Sequence, residues 1–142
     1  MCSIEGETMD NTIVWADIPV TDLKRAMAFY GAVLQREFRE AEGMAGVGLE
    51  VPSGPPPSPD DTPGSFPVSF DLALVSENKP SADGCTIYLN SGGDPEGMLE
   101  RVAAAGGQIL KPVSYMGDMI GSIGFFLDTE GNRIGVHAPP QM

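Results

Sequence analysis

Two stretches of the chain carry the same succession of apolar and polar positions. From Thr12 to Val20 the positions alternate, with Val14, Ala16, Ile18 and Val20 on one face and Ile13, Trp15 and Asp17 on the other, which is the period of a strand. The period then lengthens. Leu23, Met27, Tyr30 and Leu34, with Ala26 and Val33 beside them, recur at i, i+3, i+4 and i+7 and predict a helix whose first turn Thr21 or Asp22 can cap. On that stripe Tyr30 reads as a core residue. Arg36 to Ala41 and Val47 to Val51 are weaker strand candidates separated by Gly43 and Gly46, and Val68 to Val75 returns to alternation with Phe70, Leu72 and Leu74 on one face.

The pattern then repeats. Cys85 to Asn90 is a strand, Asp94 and Pro95 form an N-cap and first-turn pair, Met98, Leu99, Val102 and Ala103 stripe a helix, and Gly106-Gly107 ends it. Ile109 to Tyr115, interrupted by Pro112, is the next strand, and Phe125 to Val136 forms a hairpin. The order strand, helix, three strands thus occurs twice at an offset of about 71 positions, which sets Trp15 against Thr86 and Asp17 against Tyr88. Between the strands of the first unit, residues 52–67 hold seven of the 13 prolines and can be neither helix nor central strand. They predict a long loop, as a lid or an excursion between strands or as a docking segment for an aromatic groove. The polar run Ser76 to Asp83 predicts a linker between the two units.

The last hairpin, GFFLDTEGNRIGVH from Gly124 to His137, is the most distinctive part of the chain. Gly131 can take the positive φ its turn requires, and the Asp128 carboxylate can accept backbone N–H bonds across it. This hairpin resembles the closing Asp-Pro-x-Gly-Asn turn and strand of the vicinal oxygen chelate superfamily, the glyoxalase, bleomycin-resistance and extradiol dioxygenase group, with Thr129 where proline is usual. The passage from Ile18 to Tyr30, IPVTDLKRAMAFY, is similar to that superfamily's first strand-to-helix passage. The resemblance spans residues 11–138. It implies an α+β fold of two βαβββ modules, residues 11–75 and 85–138, joined by a linker at 76–84 and preceded by a mobile extension at 1–10. The modules would form a half-open barrel of curved mixed sheets with the helices outside and a small-molecule ligand in the concavity. It also implies a homodimer. In one metal-bearing pattern of the superfamily, the ligand positions correspond to Trp15, to Cys85 or Thr86, and to Gly135. None of these is a usable histidine or glutamate, so a member without metal or cofactor is expected.

Composition narrows the partners. The 142 residues suit one domain, or two small modules sharing a core. A net charge of −12, from 20 acidic and 8 basic residues, opposes binding to nucleic acid and to anionic membranes. It would favour a cationic ligand, and equally it serves solubility. Cys2 and Cys85 are not a disulfide framework and suit a reducing cytoplasm, and the acidic first ten residues lack the features of a secretory signal. No run of 18 apolar residues is present to span a membrane.

Few residues can carry chemistry. His137 is the sole histidine, so one chain cannot build a two-histidine metal site. Alternation turns Arg133, Gly135 and His137 toward the cavity, where His137 could serve as acid, base or polar anchor; it could equally be a strand-end histidine near solvent. Asp17, a carboxylate on an inward strand face, must pair, shift its pKa or stand in a wet cavity; it suits a base or a cation anchor, or it is a strand-end residue bonded to backbone. Trp15, Tyr88 and Phe125 would form the flat walls of a ligand pocket, or plain core. Three readings follow: a metal-free protein that binds and sequesters a small organic molecule between the sheets, a metal-independent lyase or isomerase using Asp17 or His137, and a dimeric regulatory module with a vestigial cavity.

Overall fold

The alternation at the start of the chain becomes strand β1 (Trp15–Pro19), and the longer period after it becomes helix α1 (Leu23–Leu34). A computed structural model describes residues 13, 15–51, 69–74 and 78–140. The expected extension at 1–10 and the proline-rich loop at 52–67 lie outside the described residues. Strands β2 (Phe38–Glu40), β3 (Val47–Glu50) and β4 (Ser69–Ala73) complete the first module. Strand β5 (Ile87–Asn90), helix α2 (Pro95–Ala104) and strands β6 (Gln108–Tyr115), β7 (Ser122–Leu127) and β8 (Arg133–Ala138) form the second. Each module builds one four-stranded mixed sheet, ordered β1-β4-β3-β2 and β5-β8-β7-β6, in which β1 with β4 and β5 with β8 run parallel. The duplicated α+β arrangement is as expected, and the sheets do not close into a barrel.

Local chemistry sets the boundaries. Asp22 caps α1, its side chain accepting from the Arg25 N–H at 3.0 Å, and Gln35 ends the helix in the left-handed region at φ 56°. Asp94 caps α2 in the same way, accepting from Gly97 at 3.0 Å. Pro112 interrupts the ladder as anticipated, with register shifts between Ile109 and Ser114, and β6 tolerates this because it is an edge strand. Leu74 departs from the expected stripe. It lies just beyond β4 and is exposed, while its N–H bonds to the Gly46 carbonyl at 2.7 Å.

The helix-facing sides of both sheets bury one common core. Ile18, Val20, Phe70 and Leu72 come from the first module, Leu89, Phe126, Ile134 and Val136 from the second, with Phe29 and Tyr30 of α1 and Leu99 and Val102 of α2 between them. Phe29, absent from the predicted stripe, is buried and meets both Tyr30 and Phe126 edgewise or tilted, at centroid separations of 4.9 and 5.9 Å.

The modules are tied together by the turn between β7 and β8. Asp128 Oδ1 accepts from the N–H groups of Glu130 and Asn132, each at 2.8 Å, and Gly131 adopts φ 93° as the reversal requires. Asp128 Oδ2 reaches across to the first module and accepts from the Tyr30 hydroxyl at 2.6 Å. Burial first, and Asp128 second, push the Tyr30 phenol well above its usual pKa. Glu130 Oε1 accepts from the backbone N–H groups of Thr21 at 2.8 Å and Asp22 at 2.9 Å, beside the start of α1, and Oε2 pairs with Arg25 at 2.7 Å. The Asn132 amide donates to the Pro19 carbonyl at 2.8 Å and its Oδ1 accepts from Ser81 in the linker at 3.1 Å.

Burial alone would raise the Glu130 pKa, but the bonds from Arg25, Thr21 and Asp22 outweigh it and hold the carboxyl at about 2, against an ordinary 4.5. A depressed carboxyl stabilises the fold above its unfolded pKa and loses that contribution as pH falls from about 4.5 to about 2. With Arg25 half-exposed and the pair partly screened, Glu130→Gln should cost about 1–2 kcal/mol at pH 7, and the difference should vanish toward pH 2. Urea unfolding of both proteins across that range checks this; a difference independent of pH would contradict it.

Candidate functional site

With the helices on one side of each sheet, the opposite side is left to carry chemistry. On the first sheet that side bears Trp15 and Asp17, and the parallel register of β1 and β4 sets Asp17 against Asp71. The Trp15 indole N–H donates to Asp71 Oδ2 at 3.0 Å. Asp71 is only 8% exposed, and its Oδ1 has no hydrogen-bond partner among the described residues. Burial lifts its pKa to about 6; the Trp15 bond opposes the rise, and neighbouring Asp17, itself exposed, adds to it. Asp71 is absent from the candidates drawn from the sequence, although the signal was there. It is the single charge in the strand SFDLA, and alternation turns it away from Phe70 and Leu72 toward the side of Asp17.

On the second sheet the corresponding side bears Tyr88, Phe125, Arg133, Gly135 and His137. Tyr88 and Phe125 pack edge to face at 5.7 Å between ring centroids. Tyr88 also lies over Gly135, where a Cβ would run into its ring. The Arg133 guanidinium sits 4.0 Å above the Phe125 ring and donates to Thr86 Oγ1 at 2.9 Å, so Phe125 is buried beneath it. Trp15 and Tyr88 remain 46% and 48% exposed, outside the core. His137 is engaged elsewhere, with Nε2 2.6 Å from the Ile120 carbonyl, where it ties the β6–β7 connection to β8.

A cleft of about 240 Å³ opens between β1 and β5, walled by Asp17, Cys85, Ile87, Asn132 and Arg133, with Lys79 and Asp83 from the linker. The sequence candidates therefore fall into separate groups. Asp17 lines the cleft with Trp15 beside it on β1; Tyr88 and Phe125 form a second cluster capped by Arg133; His137 stands apart on Ile120. A wider hollow of about 860 Å³ adjoins the linker, but Glu130 in its wall is already spent on Thr21 and Arg25.

The residues at the superfamily's metal positions do not fit a divalent ion. The Trp15 indole is bonded to Asp71, the Thr86 hydroxyl accepts from Arg133, the alternative Cys85 is a single exposed thiol, and Gly135 has no side chain to offer. Among the described residues no group of three histidines, cysteines or carboxylates comes together.

Two βαβββ modules that share a core on their helix side and open a cleft between their sheets define a paired-module α+β fold. The chain belongs to the Glyoxalase/Bleomycin resistance protein/Dioxygenase superfamily, whose family model matches residues 12–136. Similar solved structures include a glyoxalase/bleomycin resistance protein from Albidiferax ferrireducens, 16% identical with a TM-score of 0.64 over 92% of this chain and 100% of that one. A superfamily member from Sphaerobacter thermophilus is 22% identical, with a TM-score of 0.58 over 92% and 98%. The fosfomycin resistance protein FosX from Listeria monocytogenes, complexed with Mn(II) and 1S,2S-dihydroxypropylphosphonic acid, is 17% identical with a TM-score of 0.55 over 96% and 92%. At these identities the likeness is one of fold. No curated protein matches the chain. No described helix is long and apolar enough to cross a membrane.

A carboxyl whose folded pKa is raised to about 6 stabilises the protein least when ionised: its contribution is full below about 3.8 and lost as pH rises through 6. Asp71→Asn keeps an acceptor for Trp15 and removes the charge, so the variant should match or exceed the wild type by about 1 kcal/mol at pH 8 and lose that advantage at pH 4. Melting temperatures at the two pH values check this; a variant less stable at pH 8 would show that the ionised carboxylate is a favourable part of the fold.

Proposed function

We propose that the chain binds a small organic molecule in the cleft between its two sheets and does so without a resident metal. The observation that carries this reading is the cleft itself, where Asp17 and Arg133 share one wall-lined space beside exposed Trp15. Concave sites with apolar side chains, here Ile18, Ile87 and Ile134, and a few fixed polar groups are the usual design for small ligands. The donor set supports metal independence, because an indole, a lone thiol or hydroxyl, and a glycine stand where imidazole and carboxylate would be needed. That FosX takes a metal and a phosphonate marks how far ligand chemistry diverges on this scaffold.

A second reading, a metal-independent lyase or isomerase, draws support from Asp71. A carboxyl near pKa 6 in register with exposed Asp17 is suited to hold and release a proton at neutral pH. His137 contributes less to it, since its Nε2 is bonded to Ile120. We also favour a homodimer. Edge strand β6 and the connection after it leave Ile109, Leu110, Tyr115, Met116, Met119 and Ile120 exposed, an apolar surface that a second copy would cover.

Native mass spectrometry tests these points together, with Trp15 fluorescence during titration by indole, phenol and benzamidine as the binding readout. The expected result is a dimer mass, no stoichiometric metal, and either a co-purified small molecule or a saturable fluorescence change. One tightly held Zn, Ni, Fe or Mn per chain would overturn metal independence. The absence of any bound molecule and of any fluorescence response would overturn the ligand reading.

A further inference from the structure

Opposite charges that share a small cleft ordinarily pair, and here they do not. Asp17 and Arg133 both line the space of about 240 Å³ between β1 and β5. The ion pairs among the described residues join Arg25 to Asp22 and Glu130, Arg36 to Glu50 and Arg39 to Glu37, and among these residues no N···O approach within 4.0 Å links Arg133 to a carboxylate. In a chain of 20 acidic residues against 8 basic ones, an arginine that no described carboxylate approaches is informative. Arg133 is nevertheless held in place, stacked 4.0 Å over Phe125 and bonded to Thr86 at 2.9 Å. Only one of about five guanidinium donors is spent there.

The other wall is equally prepared. Asp17 is exposed, and Asp71 stands beside it in register, nine-tenths buried, with Oδ1 lacking a partner among the described residues. The backbone that carries the two walls is tied by the bond from the Asn132 amide to the Pro19 carbonyl, two residues from Asp17 and one from Arg133. The two charges therefore face one space from tethered positions, with no N···O approach within 4.0 Å between them.

We propose that the cleft takes a small zwitterion, its ammonium group on Asp17 and its carboxylate on the Arg133 fork. This rests on the reading that the cleft is the ligand site and adds the chemical class of the ligand. A carboxylate matches the planar donors of arginine, and an ammonium supplies N–H donors to Asp17 backed by Asp71. Lys79 and Asp83 of the linker add one charge of each sign to the same walls, so a simple anion would be repelled by a chain of net charge −12 and a simple cation would add nothing to the arginine and lysine side of the cleft. A zwitterion satisfies both ends.

Trp15, the only tryptophan, lies two residues from Asp17 on β1 and reports on the site. The test is a fluorescence titration of the full chain, confirmed by calorimetry, with glycine, 4-aminobutyrate and 6-aminohexanoate against butylamine and butyrate. At least one zwitterion should bind about tenfold or more tightly than either singly charged analogue. Asp17→Asn and Arg133→Gln should each reduce it to the singly charged level, Asp17→Asn without loss of melting temperature, and Arg133→Lys should retain part of the affinity. Equal binding of butylamine or butyrate, unchanged affinity in Asp17→Asn, or no binding of any zwitterion would overturn the proposal. If uncharged indole or phenol binds while the zwitterions do not, the zwitterion falls and the cleft remains the ligand site; if nothing binds, both fall.

Discussion

The hydrogen bond from the Asn132 side-chain amide to the Pro19 carbonyl, 2.8 Å long, joins the end of the first strand to the start of the last. Everything that positions the cleft converges on the turn that supplies it. Asp128 holds Asn132 in place and binds Tyr30 of α1, Glu130 binds the residues that open α1, and Asn132 also receives the linker through Ser81. Tight turns are usually surface punctuation. This one is a buried polar network in which a lost member leaves its partners unsatisfied, so the two sheets are held by directional contacts as well as by their common apolar core.

Duplication followed by divergence explains the asymmetry of the site. The parallel pair Asp17 and Asp71 of the first module corresponds in position to Tyr88 and Gly135 of the second. In one copy two carboxyls share the face; in the other an aromatic ring lies flat over a glycine that has no Cβ to obstruct it. The same backbone thus presents a polar wall and an aromatic one. Arg133, placed immediately after Asn132, brings the missing positive charge to the aromatic side.

Much of this was legible in the chain. Periods of two and 3.6 locate both modules because each element buries one face, and the cap residues Asp22 and Asp94 mark both helix starts. The face assignment of Trp15 and Asp17 follows from alternation, and that of Tyr88 from the repeat offset. What alternation cannot supply is which face of one module meets which part of the other. Asp71 reads as an ordinary strand residue until the parallel register with β1 sets it beside Asp17 and the Trp15 indole closes over it. Glu130 reads as a turn residue until α1 is packed against it. His137 is visible as a lone histidine, but its bond to Ile120 depends on where the β6–β7 connection folds back. Each of these is a contact between residues far apart in sequence, and long-range pairing is set by topology rather than by local pattern.

The account stands on the claim that the Asp128–Asn132 turn makes the two modules one cooperative unit. Native-state hydrogen exchange tests it most directly, through the amides of Thr21, Ser81 and Asn132, which lie in the first module, the linker and the second module and all donate to side chains of this turn. They should exchange with a common opening free energy, and Asn132→Ala should lower all three together. If the Thr21 and Ser81 amides open independently of Asn132, or if only the altered residue's neighbours respond, the modules are joined by their apolar core alone and the turn is ordinary surface structure.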